Sequence, residues 1–155
     1  NVLRLSRDPR FSDRVIFLPD YNAHIGRLMT QGCDVWLNNP RRPREASGTS
    51  GQKAALNGNL NLSILDGWWP EAYNGRNGWA IGDDKEWTDL VAQDAFDVES
   101  IYRLLEQEII PTFNTPSKWT ACMKEAIQTC APIYNTHRMV TDYLNKMYRY
   151  NTSQD

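Results

Sequence analysis

The stretch that most constrains the fold runs from Glu45 to Gly58, where a small, polar turn leads directly into a short helix. Residues 45–51 read Glu-Ala-Ser-Gly-Thr-Ser-Gly, and a helix-forming run from Gln52 to about Leu56 ends at Asn57-Gly58. The first N–H groups of a helix have no intrahelical acceptor and lie at the positive end of the helix dipole. Because glycine permits close approach and the Thr49 and Ser50 hydroxyls add donors, the stretch predicts a phosphate-binding turn.

Two other interpretations of this turn have to be weighed. A polar turn that does no more than cap a helix has a similar composition. A Walker-type phosphate loop requires Gly-Lys followed by Ser or Thr, whereas the order here is Gly51-Gln52-Lys53-Ala54. The hydroxyl that would bind magnesium is missing, so we discount that motif. If the helix begins near Thr49, Lys53 lies one turn further along the same face.

Composition restricts the class of protein. The chain has 155 residues, enough for one domain with a core, and its net charge of −2 gives no reason to expect a nucleic-acid partner. No apolar run approaches the length needed to cross a bilayer, so no membrane partner is expected. Cys33, Cys122 and Cys130 are odd in number and form no Cys-x-x-Cys motif. They favour reduced thiols and a cytoplasmic location, with no metal site.

The apolar pattern predicts an α/β fold with a mostly parallel sheet. Two strands are predicted, one at 14–18, where residues 15–18 are continuously apolar, and one at 33–37. They flank a helical pattern that ends near Gly32, which is typical of a βαβ crossover. A third strand is predicted at 60–65 and a short fourth at 79–81. Ligands of open α/β sheets bind beyond the carboxyl ends of the strands, so the turn at 48–53 falls where a site is expected.

The rest of the chain has helical periodicity. The predicted helices are one marked by Val98 to Ile109 and stopped by Pro111, one from Thr115-Pro116 to Cys130, and one from Asn135-Thr136 to Tyr148.

The turn and its flanks resemble a known family. Residues 45–53, with Leu-Asp-Gly-Trp-Trp at 65–69, resemble the cofactor segment of the α-glucan (glycogen, starch, maltodextrin) phosphorylases. Asp-Val-Trp-Leu at 34–37, Pro-Arg-Arg-Pro at 40–43 and Asn-Gly-Trp-Ala-Ile-Gly at 77–82 resemble its bacterial-type branch. Gln52 departs from the Met that is usual there, which concerns the packing beneath the cofactor. Family members are several times longer, so the resemblance implies a carboxy-terminal fragment.

The resemblance also implies a fold and a function. The expected fold is the Rossmann-like half of a B-type glycosyltransferase fold, with residues 1–113 in the cofactor and catalytic domain and 114–155 as its helical carboxy-terminal extension. The parent enzyme would use pyridoxal phosphate, cleave α-1,4-glucan with inorganic phosphate and release glucose 1-phosphate. The alternative is a non-catalytic glucan- or phosphate-binding module. The fragment alone is expected to be inactive, because the amino-terminal domain and a basic phosphate clamp lie outside it. Homo-oligomerisation is left open.

Particular residues receive roles from the resemblance. Lys53 is the expected catalytic residue and would hold pyridoxal phosphate as a Schiff base. The other residues expected to bind the cofactor are Thr49, Ser50 and Gly51, around its phosphate, and Tyr21, in the pocket wall. The residues expected to bind the glucosyl ring are Glu45, Ser47 and Gly48. We interpret Arg41, Arg42 and Arg44 as structural ion-pair formers.

Overall fold

The fold is built on a short parallel sheet. The structure, a computed structural model, describes residues 2–11 and 13–148. Its strands are β1 (Val35–Asn38), β2 (Leu60–Ile64) and β3 (Gly78–Ile81), in the order β1-β2-β3 with both pairings parallel. All five residues of β2 are buried, so both faces of the middle strand are covered.

Helices precede, separate and follow the strands. In chain order they are α1 (Val2–Ser6), a 3₁₀ turn (Pro9–Phe11), α2 (Ala23–Gly32), α3 (Thr49–Leu56), α4 (Trp69–Ala72), α5 (Leu90–Leu104), α6 (Ile110–Phe113), α7 (Pro116–Cys130) and α8 (Thr136–Tyr143). π-Helical turns follow α5 (Leu105–Ile109) and α8 (Leu144–Tyr148). The side chains of Asn22, Asp89 and Asn135 accept N–H groups at the starts of α2, α5 and α8.

The predicted strand at 14–18 is wrong. These residues form a turn followed by irregular chain, and Ile16, Phe17 and Leu18 are 71%, 49% and 46% exposed. A strand forms only when its backbone groups find a partner ladder, and within the described residues β1 has no neighbour on its outer edge. The predicted crossover from 14–18 to 33–37 is therefore absent, and the chain instead crosses from β1 through α3 to β2.

The other strands are confirmed. The prediction at 33–37 corresponds to β1, that at 60–65 to β2 and that at 79–81 to β3, each within two residues at either end. α3 begins at Thr49, three residues earlier than the predicted run from Gln52. The turn before α3 follows the carboxyl end of β1, as the parallel-sheet prediction required.

Two apolar clusters hold the sheet and the helices together. The larger joins the strands to α5, α7 and the π-helical turn between them; its buried members are Leu60, Leu62, Ile64, Trp79, Ile81, Leu104, Ile109, Trp119 and Ala126. The smaller contains Ala55, Trp68, Trp69 and Cys130, so it fixes the back of α3 against α7 and the loop after β2. The site-bearing helix is thus held from behind by aromatic packing.

The carboxy-terminal helices begin where predicted, at Pro116 and after Asn135. The helical run from Val98 does not stop at Pro111, because this proline lies in the first turn of α6, where a missing N–H is tolerated. α7 packs on α3 and β2, and residues 149–155 of the predicted extension lie outside the described residues. In residues 2–11 and 13–148, no helix is both long and apolar enough to span a bilayer.

Candidate functional site

The amino terminus of α3 is shaped by a glycine. Gly48 is the cap residue, with φ of 86°, a left-handed conformation that side chains rarely adopt. It provides no side-chain acceptor for the first N–H groups of α3. The N–H of Gly51 already donates to the carbonyl of Gly48 at 3.2 Å, so Gly51 contributes close packing rather than a free donor. The donors available at this end are those of Thr49 and Ser50.

The turn before α3 is tied to the loop that follows β2. The Asp66 carboxylate accepts the N–H of Glu45 at 2.8 Å and the N–H of Gly67 at 2.9 Å. The N–H of Trp68 donates to the carbonyl of Ser47 at 2.8 Å. Gly67 also has a positive φ, of 59°, and a Cβ there would lie 2.6 Å from the Ser47 carbonyl oxygen. The two loops therefore position Glu45 and Ser47 together.

A first cavity, of about 480 Å³, opens beside α3. Its wall includes Lys53 and Ser50 from α3, Tyr21 from the loop before α2, Arg27 from α2 and Trp36 from β1. It thus combines an amine, a hydroxyl, a second cation and two aromatic rings. This mixture suits a planar, anionic ligand that a lysine amine can approach.

A second cavity, of about 560 Å³, lies on the other side of Lys53, between α3 and the segment that leads into α8. Ser47, Thr49, Tyr134 and Arg138 contribute to its wall. Arg138 is already engaged, since its Nη1 pairs with Asp142 Oδ2 at 2.7 Å and its Nε donates to the Ile133 carbonyl. Burial raises the pKa of the Tyr134 phenol, which therefore stays protonated in neutral solution.

Helix geometry explains why Lys53 lines both cavities. Successive residues of an α-helix are rotated by about 100°, so Thr49 and Ser50 face different sides. Lys53 is four residues after Thr49 and three after Ser50, and its direction falls between theirs. Its side chain is exposed and can be reached from either cavity.

The structure brings the predicted residues together in two groups. Tyr21, Ser50 and Lys53 share the first cavity, whereas Ser47, Thr49 and Lys53 share the second. Glu45 and Gly48 lie against the Trp68 ring and the Gly67 turn behind the second cavity, and Gly51 is buried. The sequence reasoning did not find Trp36, Arg27, Tyr134 or the Asp66 tie, since each joins the site through a contact distant in sequence.

The position of Tyr21 depends on Gly26, and this gives a test. The Tyr21 hydroxyl occupies the space that a Cβ at residue 26 would need. In Gly26→Ala the phenol ring must move from the cavity wall. If pyridoxal phosphate binds in this cavity, as the resemblance implies, loss of one aromatic contact is expected to weaken its binding about three- to tenfold. Stability should not fall, because alanine is the better helix former by about 1 kcal/mol. The measurement is a cofactor titration followed by absorbance.

Gly32→Ala is the matched control, because Gly32 lies in the same helix and a Cβ there meets nothing within 4 Å. It should leave cofactor affinity unchanged. Equal affinities in the two alanine variants would show that Tyr21 does not contact the ligand.

Arg41 ties the loop before α3 to α5 through an ion pair. Its Nε and Nη2 donate to the two carboxylate oxygens of Asp94 on α5 at 2.8 and 2.6 Å, which confirms an ion-pair role for Arg41. Arg42 and Arg44 form no ion pair with the described residues. The hydrogen bond from Arg41 lowers the pKa of Asp94.

The Arg41–Asp94 pair is expected to hold the loop before α3 less strongly in acid. Since the folded-state pKa of Asp94 is the lower one, its stabilisation is present above the unfolded-state pKa and is lost as pH falls through the folded-state value. We expect hydrogen-exchange protection of residues 41–45, corrected for intrinsic rates, to fall in acid. Asp94→Asn should show the reduced protection already at neutral pH. If Asp94→Asn keeps the same hydrogen-exchange protection of residues 41–45 as the wild-type chain, the pair does not hold the turn.

Comparisons with known proteins find phosphorylases that are similar to this chain. The chain is 49% identical over 148 residues to a maltodextrin phosphorylase of Thermococcus litoralis, covering 95% of this chain and 18% of that protein. It is 48% identical over 153 residues to a glycogen phosphorylase of Aquifex aeolicus, covering 95% of this chain and 22% of the relative. A glycogen phosphorylase of Mycobacterium bovis is 44% identical, with 95% of this chain and 18% of the relative covered.

These similarities extend over nearly the whole chain, including the turn and α3. By sequence, the chain is similar to one segment of the α-glucan phosphorylases, as the resemblance implied. It spans only 18 to 22% of the length of the curated relatives it matches. No protein-family model matches it.

Proposed function

We propose that this chain is the cofactor-binding segment of an α-glucan phosphorylase. The whole protein would cleave α-1,4-glucan with inorganic phosphate, release glucose 1-phosphate and use pyridoxal phosphate. The observation that carries the proposal is that Lys53, Ser50 and Tyr21 meet in one cavity beside the open end of α3. Each of the three belongs to the cofactor set that the resemblance implies.

The first cavity fits pyridoxal phosphate by its donor set. Lys53 would hold the cofactor covalently through its amine, since no other lysine contributes to the wall of either cavity. The hydroxyl and N–H of Ser50, with the positive end of the α3 dipole, would bind the phosphate. Thr49 and Gly51 remain in the proposed phosphate set, Gly51 through its closeness rather than its N–H. When bound, the cofactor would supply a phosphate that supports acid–base or electrostatic chemistry.

The second cavity supports the proposed glucosyl site. Ser47 and Thr49 line it, and Glu45 and Gly48 are held next to it by Asp66 and Trp68. A carboxylate and a hydroxyl placed side by side are suited to hydrogen bonds with sugar hydroxyls. Because Lys53 separates the two cavities, a sugar in the second would lie close to the cofactor in the first. That proximity is what a reaction between the two sites requires.

The proposal extends to architecture and partners. Residues 1–113 would form part of the Rossmann-like half of a B-type glycosyltransferase fold, with 114–155 as its helical extension. The amino-terminal domain of the same enzyme would complete the cleft and bring the basic phosphate clamp. Three free cysteines fit a reducing, cytoplasmic location.

The decisive experiment is chemical mapping. The chain is mixed with pyridoxal phosphate, reduced with borohydride and digested, and the modified peptide is sequenced. We expect the adduct on Lys53. An adduct confined to Lys85, Lys118, Lys124 or Lys146 would overturn the assignment, and binding of glucan or phosphate without any adduct would favour a non-catalytic module. The 155-residue chain itself should release no glucose 1-phosphate from glucan, because half of the proposed cleft is contributed by the other domain.

A further inference from the structure

Trp36 differs from the other tryptophans of the chain. Five of the six pack against another aromatic ring: Trp68, Trp69, Trp79, Trp87 and Trp119. Among the described residues, Trp36 has no aromatic partner of this kind. It is half-buried and lies in the wall of the first cavity, which it shares with Lys53 and Ser50. A large aromatic ring therefore faces a cavity rather than the core.

The register of the sheet explains how Trp36 reaches this place. Trp36 pairs with Asn61 on β2, and paired residues of a parallel sheet point to the same face. The Asn61 amide donates to the Gly51 carbonyl at 3.1 Å, so that face carries the amino-terminal half of α3. Trp36 therefore lies on the α3 side of the edge strand β1, next to the cavity that Ser50 and Lys53 face.

We propose that Trp36 is a positioning residue, whose indole ring packs against the pyridine ring of pyridoxal phosphate held at Lys53. The inference rests on the proposed function, which assigns the cofactor to the first cavity. Stacked aromatic rings attract one another beyond the area they bury, and the contact would fix the ring plane relative to the Lys53 amine. Loss of the contact should weaken cofactor binding roughly three- to tenfold.

The test uses pyridoxine 5′-phosphate, which has the ring and phosphate of the cofactor but no aldehyde, so its binding does not depend on a covalent bond to lysine. Dissociation constants are measured by calorimetry, and circular dichroism is recorded in the absorption band of the bound ring. Trp36→Ala should weaken binding about three- to tenfold and reduce the dichroic signal. Trp36→Phe should restore both, because a benzyl ring can still stack.

Trp87→Ala is the matched control, since Trp87 is also half-buried but packs on Phe96 and is not part of the cavity wall. It should change neither measurement. If Trp36→Ala does not fold, Trp36→Leu replaces it, because leucine keeps an apolar side chain at residue 36 but has no ring to stack.

The outcomes separate the two proposals. Unchanged affinity and dichroism in Trp36→Ala or Trp36→Leu would overturn the role of Trp36, even where borohydride mapping confirms Lys53. An adduct at another lysine, together with a clear loss on Trp36 substitution, would overturn the Lys53 assignment and leave Trp36 as a ring-binding residue. If the wild-type chain binds neither pyridoxal phosphate nor pyridoxine 5′-phosphate, both proposals fail.

Discussion

Replacing Lys53 with alanine is expected to abolish covalent attachment of pyridoxal phosphate to this chain. Lys53 is the lysine in the walls of both cavities, and attachment requires an amine within bonding distance of the aldehyde. The absorption band of the cofactor–lysine adduct should disappear, and borohydride should fix no cofactor on the protein. Non-covalent binding of pyridoxine 5′-phosphate should persist, because Ser50, Tyr21 and Trp36 still line the first cavity.

Two variants control this experiment. Lys118→Ala removes an exposed lysine at the start of α7 and should leave attachment intact. Lys53→Arg keeps the positive charge but offers no amine that condenses with the aldehyde, so it should behave like Lys53→Ala in attachment. Full attachment in Lys53→Ala would show that the cofactor site lies elsewhere.

The local features of the site could be predicted from the sequence. A hydroxyl-rich turn with glycines before a helix-forming run specifies an open helix amino terminus by itself, and α3 does begin at Thr49. The separation of Thr49 from Ser50 into different cavities was also implicit, because about 100° per residue is a property of any α-helix. β2 and β3 were predictable because both are short runs with apolar residues that are bounded by turn-forming Gly and Asn.

The wrong strand prediction and the missed features of the site depend on partner residues that are distant in the sequence. The run at 14–18 has strand composition, yet a strand also needs a neighbour, and composition does not provide one. The tie from Asp66 to Glu45 joins residues 21 positions apart, and the Arg41–Asp94 pair joins residues 53 apart. From the sequence alone, Trp36 is an ordinary strand residue. Its place beside α3 follows only from its register with Asn61. Contacts of this kind are fixed by topology, which short sequence patterns do not encode.

Gly51→Ala is expected to damage both the stability of the fold and the cofactor site. A Cβ at residue 51 would lie 2.7 Å from Asn61 Oδ1 and 3.0 Å from Trp68 Nε1. Asn61 and Trp68 are buried, so neither can move aside freely. Overpacking of this kind typically costs about 1–3 kcal/mol, from which the better helix propensity of alanine recovers about 1 kcal/mol.

The measurement is urea unfolding, with Gly32→Ala as the control that replaces a helical glycine without a clash. If α3 shifts away from Asn61, the bond from the Asn61 amide to the Gly51 carbonyl is also strained, and Ser50 moves relative to Trp36 across the first cavity. Gly51→Ala should therefore lose stability relative to Gly32→Ala and bind pyridoxine 5′-phosphate more weakly. Equal unfolding free energies in the two variants would mean that α3 can move away from the sheet without a loss of stability. The close packing of Gly51 would then not be what holds Lys53 between its two cavities.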